Sequence, residues 1–171
     1  MNLEKKRDAI IEMAEQQMGV TEKPAGSNKI KYNEWYYPEG HPYFTDSRPY
    51  AWCGTFCAYV YYFAGFPMPA IDSILGVHYV PTLYHKAKAL KWATIEPKGG
   101  DLVLFDFVND GKTFAQHIGI FDKWIDHEHF TCIEGNTSSN ERGSQDNGGG
   151  VYKRTRHKRH VVLFVNLIDN V

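Results

Sequence analysis

The chain has 171 residues, of which 43% are hydrophobic, 23% charged and 15% aromatic, and its net charge at pH 7 is −1. These values are typical of a folded globular chain with a core, and they exclude wholesale disorder, collagen and coiled coil. The near-zero net charge excludes a global basic field, so we expect no nucleic-acid partner. We expect residues 1–171 to form a single domain.

The first half of the chain carries helical patterns. Residues 4–18 place apolar side chains at helical spacing, which predicts an amphipathic helix. Residues 20–51 combine turn formers with many aromatics, and we expect them to wrap the domain or to form the rim of a cleft. Residues 53–64 are apolar nearly all round, which predicts a buried helix. A shorter helix is expected to begin at Thr82, a suitable cap.

The second half of the chain changes to the periodicity of strands. Five segments are predicted to be strands, namely 101–107, 116–124, 130–136, 151–156 and 160–168. The polar stretch 137–150 is predicted to be a loop. Helices followed by strands favour an α+β fold, with N-terminal helices packed on a five- or six-stranded antiparallel sheet.

A run of basic residues lies in the segment 153–159. It contributes five positive charges, from Lys153, Arg154, Arg156, Lys158 and Arg159. Our interpretation is the solvated face of a strand, and the alternative is a stripe that touches an anionic polymer.

The chain has three cysteines, Cys53, Cys57 and Cys132. An odd count in a chain of this length does not describe a disulfide framework, so we expect reduced thiols and synthesis in the cytoplasm. No signal-peptide pattern follows Met1. The most apolar stretch, 56–66, is far shorter than the about 20 residues that span a bilayer, so we expect no membrane partner.

Cys53 lies where a loop enters the predicted buried helix. The first turn of a helix has free N–H groups and a positive potential, and both favour a thiolate. The same N–H groups can stabilise an oxyanion. Cys57 lies one turn further along and is interpreted as packing. The alternative for Cys53 is that it is also a small buried hydrophobe.

A nucleophilic thiol needs a base, and His117 is the histidine inside a clear predicted strand. Glu134 and Asn136 alternate onto one face of the next strand. If the hairpin turn is central around Asp126-His127, paired residue numbers sum to about 253, which places His117 opposite Asn136 with Glu134 on the diagonal. A carboxylate or an amide beside the imidazole can fix its orientation. The alternative is that Glu134 and Asn136 are polar residues at a strand end.

The order of these residues, a cysteine at a helix start followed by histidine and glutamate on an antiparallel sheet, is that of papain-like enzymes. The chain resembles the CHAP family of cysteine, histidine-dependent amidohydrolases and peptidases. The segments that carry the resemblance are Tyr50-Ala51-Trp52-Cys53-Gly54-Thr55-Phe56-Cys57-Ala58, Lys98-Gly99-Gly100-Asp101-Leu102-Val103-Leu104-Phe105, His117-Ile118-Gly119-Ile120 and Glu134-Gly135-Asn136-Thr137-Ser138.

The resemblance implies a papain-like fold and a catalytic set. Cys53 would be the nucleophile and His117 the general base and acid. Glu134 would orient His117, and Asn136 would assist it or support the oxyanion site. We further expect a groove wall formed by the aromatic side chains Tyr50, Trp52 and Trp35.

The substrate implied by the resemblance is peptidoglycan. The enzyme would be an N-acetylmuramoyl-L-alanine amidase or a peptidoglycan endopeptidase, as in the endolysins of bacteriophages. We expect a monomer without a separate wall-binding domain, made in the cytoplasm and acting on the cell wall after release. The alternatives are a non-catalytic wall-binding or phage-structural module, and a toxin or effector amidase that acts on a protein.

The chain departs from the family pattern at two places. Some members bind calcium in an acidic loop before the cysteine, but residues 44–50 contain one carboxylate and an arginine, so we expect no calcium. Many members place glutamine before the cysteine, where this chain has Trp52, which leaves one oxyanion donor unassigned. A zinc site on Cys53 and Cys57 with two histidines lacks a C-x-x-C pair, so we expect no metal and no cofactor.

Overall fold

The computed structural model describes residues 2–37, 50–69, 79–108, 115–140 and 142–170. This part of the chain contains four α-helices: α1 (Leu3–Glu15), α2 (Lys31–Tyr36), α3 (Cys53–Phe63) and α4 (Val80–Ala89). It also contains six strands: β1 (Ala93–Thr94), β2 (Leu102–Phe105), β3 (His117–Trp124), β4 (His129–Thr137), β5 (Gly150–His157) and β6 (Val161–Val165). Most of the segment 44–50, on which the calcium expectation rests, lies outside the described residues.

The six strands form one antiparallel sheet in the order β1-β6-β2-β3-β4-β5. The predicted α+β class and the antiparallel sheet are therefore confirmed. Strand β1 was not predicted, because its two residues, Ala93 and Thr94, are too short a segment to show a period. It pairs with β6 at the edge of the sheet.

Helix α3 is the buried helix that the sequence predicts. Eight of its 11 residues are buried, and it packs against β3 and β4. An apolar surface around the whole helix requires neighbours on every side, which the sheet, α1 and α2 provide. Helix α3 is consequently held in the core, and its first residue, Cys53, is brought against the middle of the sheet.

Helix α4 begins at Val80, before the predicted start at Thr82. Pro81 lies within the first turn, where its fixed φ suits a helix and its missing N–H costs no hydrogen bond. Helix α2 was not predicted, because its six residues lie in a stretch dominated by turn formers and aromatics.

The two faces of the sheet carry separate apolar clusters. The helix-facing cluster includes Leu102, Ile118 and Ile133 together with side chains of α1, α3 and α4. The second cluster is rich in aromatics and consists of Val103, Phe105, Phe121, Phe130 and Cys132, with Phe107, Val161 and Phe164 packed on it. Alternation along each strand divides these residues between the two faces.

The hairpin of β3 and β4 follows the predicted register. Ile120 pairs with Ile133 and Phe121 with Cys132, which confirms the expected sum of 253. The register shifts by one residue between Phe121 and Lys123, nearer the turn. This irregularity lies on the turn side of the pair Ile120–Ile133, away from His117.

None of the helices in the described ranges is long and apolar enough to cross a membrane.

Candidate active site

Cys53 is the first residue of α3 and is 5% exposed. The side chain of the preceding Trp52 does not cap the helix. The N–H groups of the first turn lack partners within the helix, so they remain directed at the space beside the thiol. Cys57, which the sequence assigns to packing, is completely buried, and burial raises the pKa of its thiol. Cys53 therefore lies at an uncapped helix start and is buried, though less completely than Cys57.

His117 is the first residue of β3 and is completely buried. Its Nε2 atom lies 2.9 Å from Oε2 of Glu134. Its Nδ1 atom has no hydrogen-bond partner in the part of the chain that the structure describes. The imidazole ring is flanked by Phe105 and Phe107, whose centroids lie 6.0 and 5.9 Å away. Glu134 thus holds Nε2 by a hydrogen bond, while Nδ1 has no hydrogen-bond partner among the described residues.

Opposing effects set the pKa of His117. Burial lowers the pKa, but interactions with the Cys53 thiol and with Glu134 outweigh burial and raise the pKa to about 9. The Cys53 thiol therefore acts on the imidazole, and Nδ1 is the nitrogen available to it because Nε2 is bonded to Glu134.

Glu134 is completely buried on β4 and is bonded from two sides. Nε of Arg156 donates to Oε1 at 2.7 Å, and Nη2 of the same residue donates to Oε2 at 2.5 Å. Burial alone would raise the pKa of Glu134, but hydrogen bonds from Arg156 and His117 lower it below its ordinary value. The ionised carboxylate therefore accepts a hydrogen bond from Nε2–H of His117.

Arg156 is a member of the site that the sequence analysis missed. It was interpreted with its neighbours as the solvated face of a strand, whereas Arg154 and Arg156 are only 7% and 6% exposed. Both side chains lie on the face that carries Cys132 and Phe130, their cross-strand partners. The feature of the sequence that could have indicated this is the spacing of two residues between Arg154 and Arg156, which places both side chains on one face of β5. The pairing of β5 with β4 makes this the face that carries Glu134.

Asn136 does not join this group through its side chain. It has a φ of 58° at the irregularity between β4 and β5. Its Nδ2 atom donates to Oδ1 of Asn147, and its Oδ1 atom accepts from the N–H of Gly149. The predicted choice between Glu134 and Asn136 as the partner of His117 is thus answered by geometry: Glu134 contacts the imidazole, and Asn136 anchors the following loop.

The three aromatics expected in a groove wall lie in different places. Trp52 is completely buried, stacked on Tyr32, and its Nε1 donates to Oε1 of Glu22 at 2.7 Å. The structure therefore assigns Trp52 to the core. Trp35 packs against Tyr62 and Phe63, at the end of α3 opposite to Cys53.

Tyr50 lies three residues before Cys53 and is 37% exposed. Its backbone carbonyl accepts a hydrogen bond from Nδ2 of Asn33, while its ring contacts Tyr37. Tyr50 is thus held through its backbone beside the start of α3, with part of its side chain open to solvent. Tyr50 therefore exposes more of its side chain than Trp52, which is completely buried.

Two glycines make room for the site. A Cβ at Gly119 would lie 2.5 Å from Sγ of Cys132 and 2.6 Å from Cγ of Glu134. A Cβ at Gly135 would lie 2.6 Å from two atoms of Phe56 in α3. Gly119 therefore admits the Glu134 side chain, and Gly135 allows α3 to approach the sheet.

In the described ranges, no group of three histidine, cysteine, aspartate or glutamate side chains is placed to hold a metal ion. Compared with protein-family models, with curated proteins and with solved structures, the chain gave no match in any of the three.

Proposed function

We propose that this protein is a cysteine amidohydrolase of papain-like fold that cleaves an amide bond of peptidoglycan. The observation that carries the chemistry is the state of His117. Its Nε2 atom is bonded to Glu134, its Nδ1 atom has no partner in the described part of the chain, and the Cys53 thiol raises its pKa. The choice of peptidoglycan as substrate rests on the resemblance of the segments around Cys53, Asp101, His117 and Glu134 to CHAP enzymes.

Acylation uses the two groups in sequence. Sγ of Cys53, with its proton transferred to Nδ1 of His117, attacks the amide carbonyl carbon, and the carbonyl π electrons move to the oxygen. The N–H groups at the start of α3 stabilise this oxyanion. When the oxyanion collapses, the C–N bond breaks and the leaving amine takes the proton from Nδ1 of His117.

Deacylation repeats the proton transfers with water. His117 takes a proton from a water molecule, whose oxygen attacks the thioester carbon. The C–S bond then breaks, which releases the carboxylic acid product and returns Cys53 to its starting state. Throughout both steps Glu134 keeps the proton on Nε2, so that Nδ1 alone exchanges protons with the reactants.

Digestion of purified peptidoglycan, followed by mass spectrometry of the soluble products, tests this proposal. We expect the wild type to release fragments and Cys53→Ala to release none, because no other group in the set can form the thioester. The matched control is Cys57→Ala, which removes a fully buried thiol one helical turn away and should keep the activity of the folded protein. The fragment masses identify the bond that is cut.

Two results would overturn the proposal. Full activity in Cys53→Ala would exclude Cys53 as nucleophile. No release by the wild type from several chemically different walls would exclude peptidoglycan as substrate, and hydrolysis of a protein by the same preparation would then identify an amidase with a protein substrate.

A further inference from the structure

Arg156 binds Glu134 through a two-pronged contact and is itself bound by its surroundings. Besides the two hydrogen bonds to Glu134, its Nη2 donates to Oγ1 of Thr137 at 3.2 Å and its Nη1 to Oε1 of Gln145 at 2.6 Å. Every nitrogen of the guanidinium is thus engaged. A planar guanidinium with two parallel bonds fixes the plane of a carboxylate as well as its position.

The aromatic rings beneath the site bind Arg156 as well. The guanidinium carbon lies 4.7 Å from the ring centroid of Phe107 and 5.7 Å from that of Phe105. These are the same two rings that flank His117. Cation–π attraction therefore holds the guanidinium of Arg156 against the same two rings that contact the imidazole of His117.

Oε2 of Glu134 is shared between the two basic groups. It accepts from Nη2 of Arg156 and from Nε2 of His117, while Oε1 accepts from Nε of Arg156. Rotation of the Glu134 carboxylate toward another partner would break its two hydrogen bonds with Arg156. The direction of the His117 ring is consequently set by a residue that does not touch it through a hydrogen bond.

We propose that Arg156 is the positioning residue of this site, which holds the Glu134 carboxylate ionised and in the orientation that directs Nδ1 of His117 to Cys53. This inference rests on the proposed function for its kinetic consequences, but its structural claim is measurable without a substrate.

The charge state of Glu134 depends on groups from four elements. Arg156 of β5 and His117 of β3 lower its pKa, against burial, which raises it. Cys57 of α3 and Cys132 of β4 also face it, and burial raises the pKa of both thiols, so they are neutral near pH 7. Removal of Arg156 therefore removes a positive charge beside Glu134, and the two neutral thiols of Cys57 and Cys132 supply no charge in its place.

The experiment combines three variants with a ¹³C NMR titration of the Glu134 carboxyl, assigned by its loss in Glu134→Gln. In Arg156→Met we expect the midpoint of this titration to rise by about 1–3 pH units, the effect of a lost opposite charge. In Arg156→Lys, which keeps the charge and loses the two-pronged contact, the rise should be smaller. The matched control is Arg154→Lys, on the same strand, equally buried and also bonded to Gln145, for which no change is expected.

Kinetics on peptidoglycan give the second readout. We expect Arg156→Met to lower kcat by up to about 100-fold with little change in KM, since a misdirected imidazole affects the chemical step and leaves the binding surface intact. The loss should be greatest at acid pH, where Glu134 becomes protonated in the variant, and Arg156→Lys should restore part of the activity.

The outcomes separate this inference from the proposed function. An unmoved Glu134 midpoint in folded Arg156→Met overturns the inference, whatever the activity. If that variant does not fold, the titration is repeated in Arg156→Gln, which also removes the charge, and an unmoved midpoint there has the same meaning. A raised midpoint together with a wild type that hydrolyses no peptidoglycan supports Arg156 as the positioning residue and rejects the proposed function.

Discussion

At the scale of single residues, the site consists of groups whose charges alternate. A cation at Arg156 is followed by the Glu134 carboxylate, then by His117, then by the thiol of Cys53. Arg156 and His117 favour the ionised form of Glu134, while Cys53 and Glu134 favour the protonated form of His117. Burial of Glu134 and His117 away from water strengthens these interactions. Loss of one member is therefore expected to change the protonation of its neighbours and not only to remove a contact.

The raised pKa of His117 predicts how stability depends on pH. Interaction with Cys53 and Glu134 outweighs burial and holds the folded-state pKa at about 9, against an ordinary value of 6.5. The protonated imidazole thus stabilises the fold fully below pH 6.5, and this contribution is lost as pH rises through about 9. We expect the free energy of unfolding in urea to fall by about 3 kcal/mol over that window. In His117→Gln this part of the slope should vanish, and equal slopes in both proteins would contradict the prediction.

Exposure and charge together predict which thiol reacts. Cys53 is 5% exposed, whereas Cys57 and Cys132 are completely buried. We expect brief treatment with iodoacetamide to alkylate Cys53 first, as measured by peptide mapping. His117→Ala should slow the reaction, since an adjacent imidazolium favours the reactive thiolate. Initial modification of Cys57 or Cys132 in the folded protein would refute this order.

At the scale of elements, α3 and the three strands β3, β4 and β5 each contribute one side chain to the chain of contacts. The close approach of β3 to the Glu134 side chain depends on Gly119. A methyl group there would lie within 2.6 Å of both Cys132 Sγ and Glu134 Cγ. The glycine is therefore required by the site and not by the backbone, since its φ is not in the left-handed region.

Substitution at this glycine gives a prediction for the strand pair. We expect Gly119→Ala to destabilise the protein by about 1–3 kcal/mol, the usual cost of overpacking, and to reduce kcat because Glu134 is displaced from His117. Addition of Cys132→Ala should recover part of the stability, since it removes one of the two clashing atoms. The control is Gly99→Ala, for which we expect a smaller loss of stability than for Gly119→Ala. The nearest atom to its new Cβ is the backbone oxygen of Asp122, at 3.3 Å. Full activity in Gly119→Ala would contradict the assigned packing.

Elements with a clear period were predictable, and those fixed by tertiary contacts were not. The apolar run of α3 and the alternation of β3 and β4 gave the helix, the strands and the pairing of Ile120 with Ile133. The two-residue β1 and the six-residue α2 have no period and exist because of their neighbours.

The candidate site divides in the same way between what the sequence predicts and what tertiary contacts determine. The predicted register, with a pairing sum near 253, places His117, Glu134 and Asn136 on one face but leaves open which of the last two contacts the imidazole. The structure shows that contact with Glu134. The contact of Arg156 with Glu134 was not predictable from the sequence. A basic run has the same composition whether its side chains face solvent or a buried carboxylate. The contacts of Asn136 with Asn147 and Gly149 were not predictable for a related reason, since its positive φ and the irregularity between β4 and β5 do not show in the sequence.

At the scale of the whole molecule, a second buried ion pair joins distant parts of the chain. Nη1 of Arg7 in α1 donates to Oδ1 of Asp101, directly before β2, and Nη2 donates to Oδ1 of Asp169 beyond β6, both at 2.8 Å. Asp101 is completely buried. The Gly-Asp segment that contributes to the family resemblance thus has a structural part in this protein, which is to fasten the first helix to the sheet.

This network predicts a large and specific loss of stability. We expect Arg7→Met to lower the free energy of unfolding by about 3–5 kcal/mol, because it leaves the buried Asp101 carboxylate without its cation. Asp169→Asn should cost less, since that side chain is 27% exposed and water can replace the lost contact. Urea denaturation of both variants provides the comparison, and a smaller effect in Arg7→Met than in Asp169→Asn would refute the assignment.

The order of the site residues along the chain also has a consequence for biosynthesis. Cys53 is translated about 100 residues before Arg156, and at 5–20 residues per second this interval lasts about 5–20 s. During that time α3, which begins at Cys53, has been synthesised, but β5 has not. Strand β5 carries Arg156, whose hydrogen bonds lower the pKa of Glu134. The two hydrogen bonds from Arg156 to Glu134 can therefore form only after β5 has been synthesised and has paired with β4.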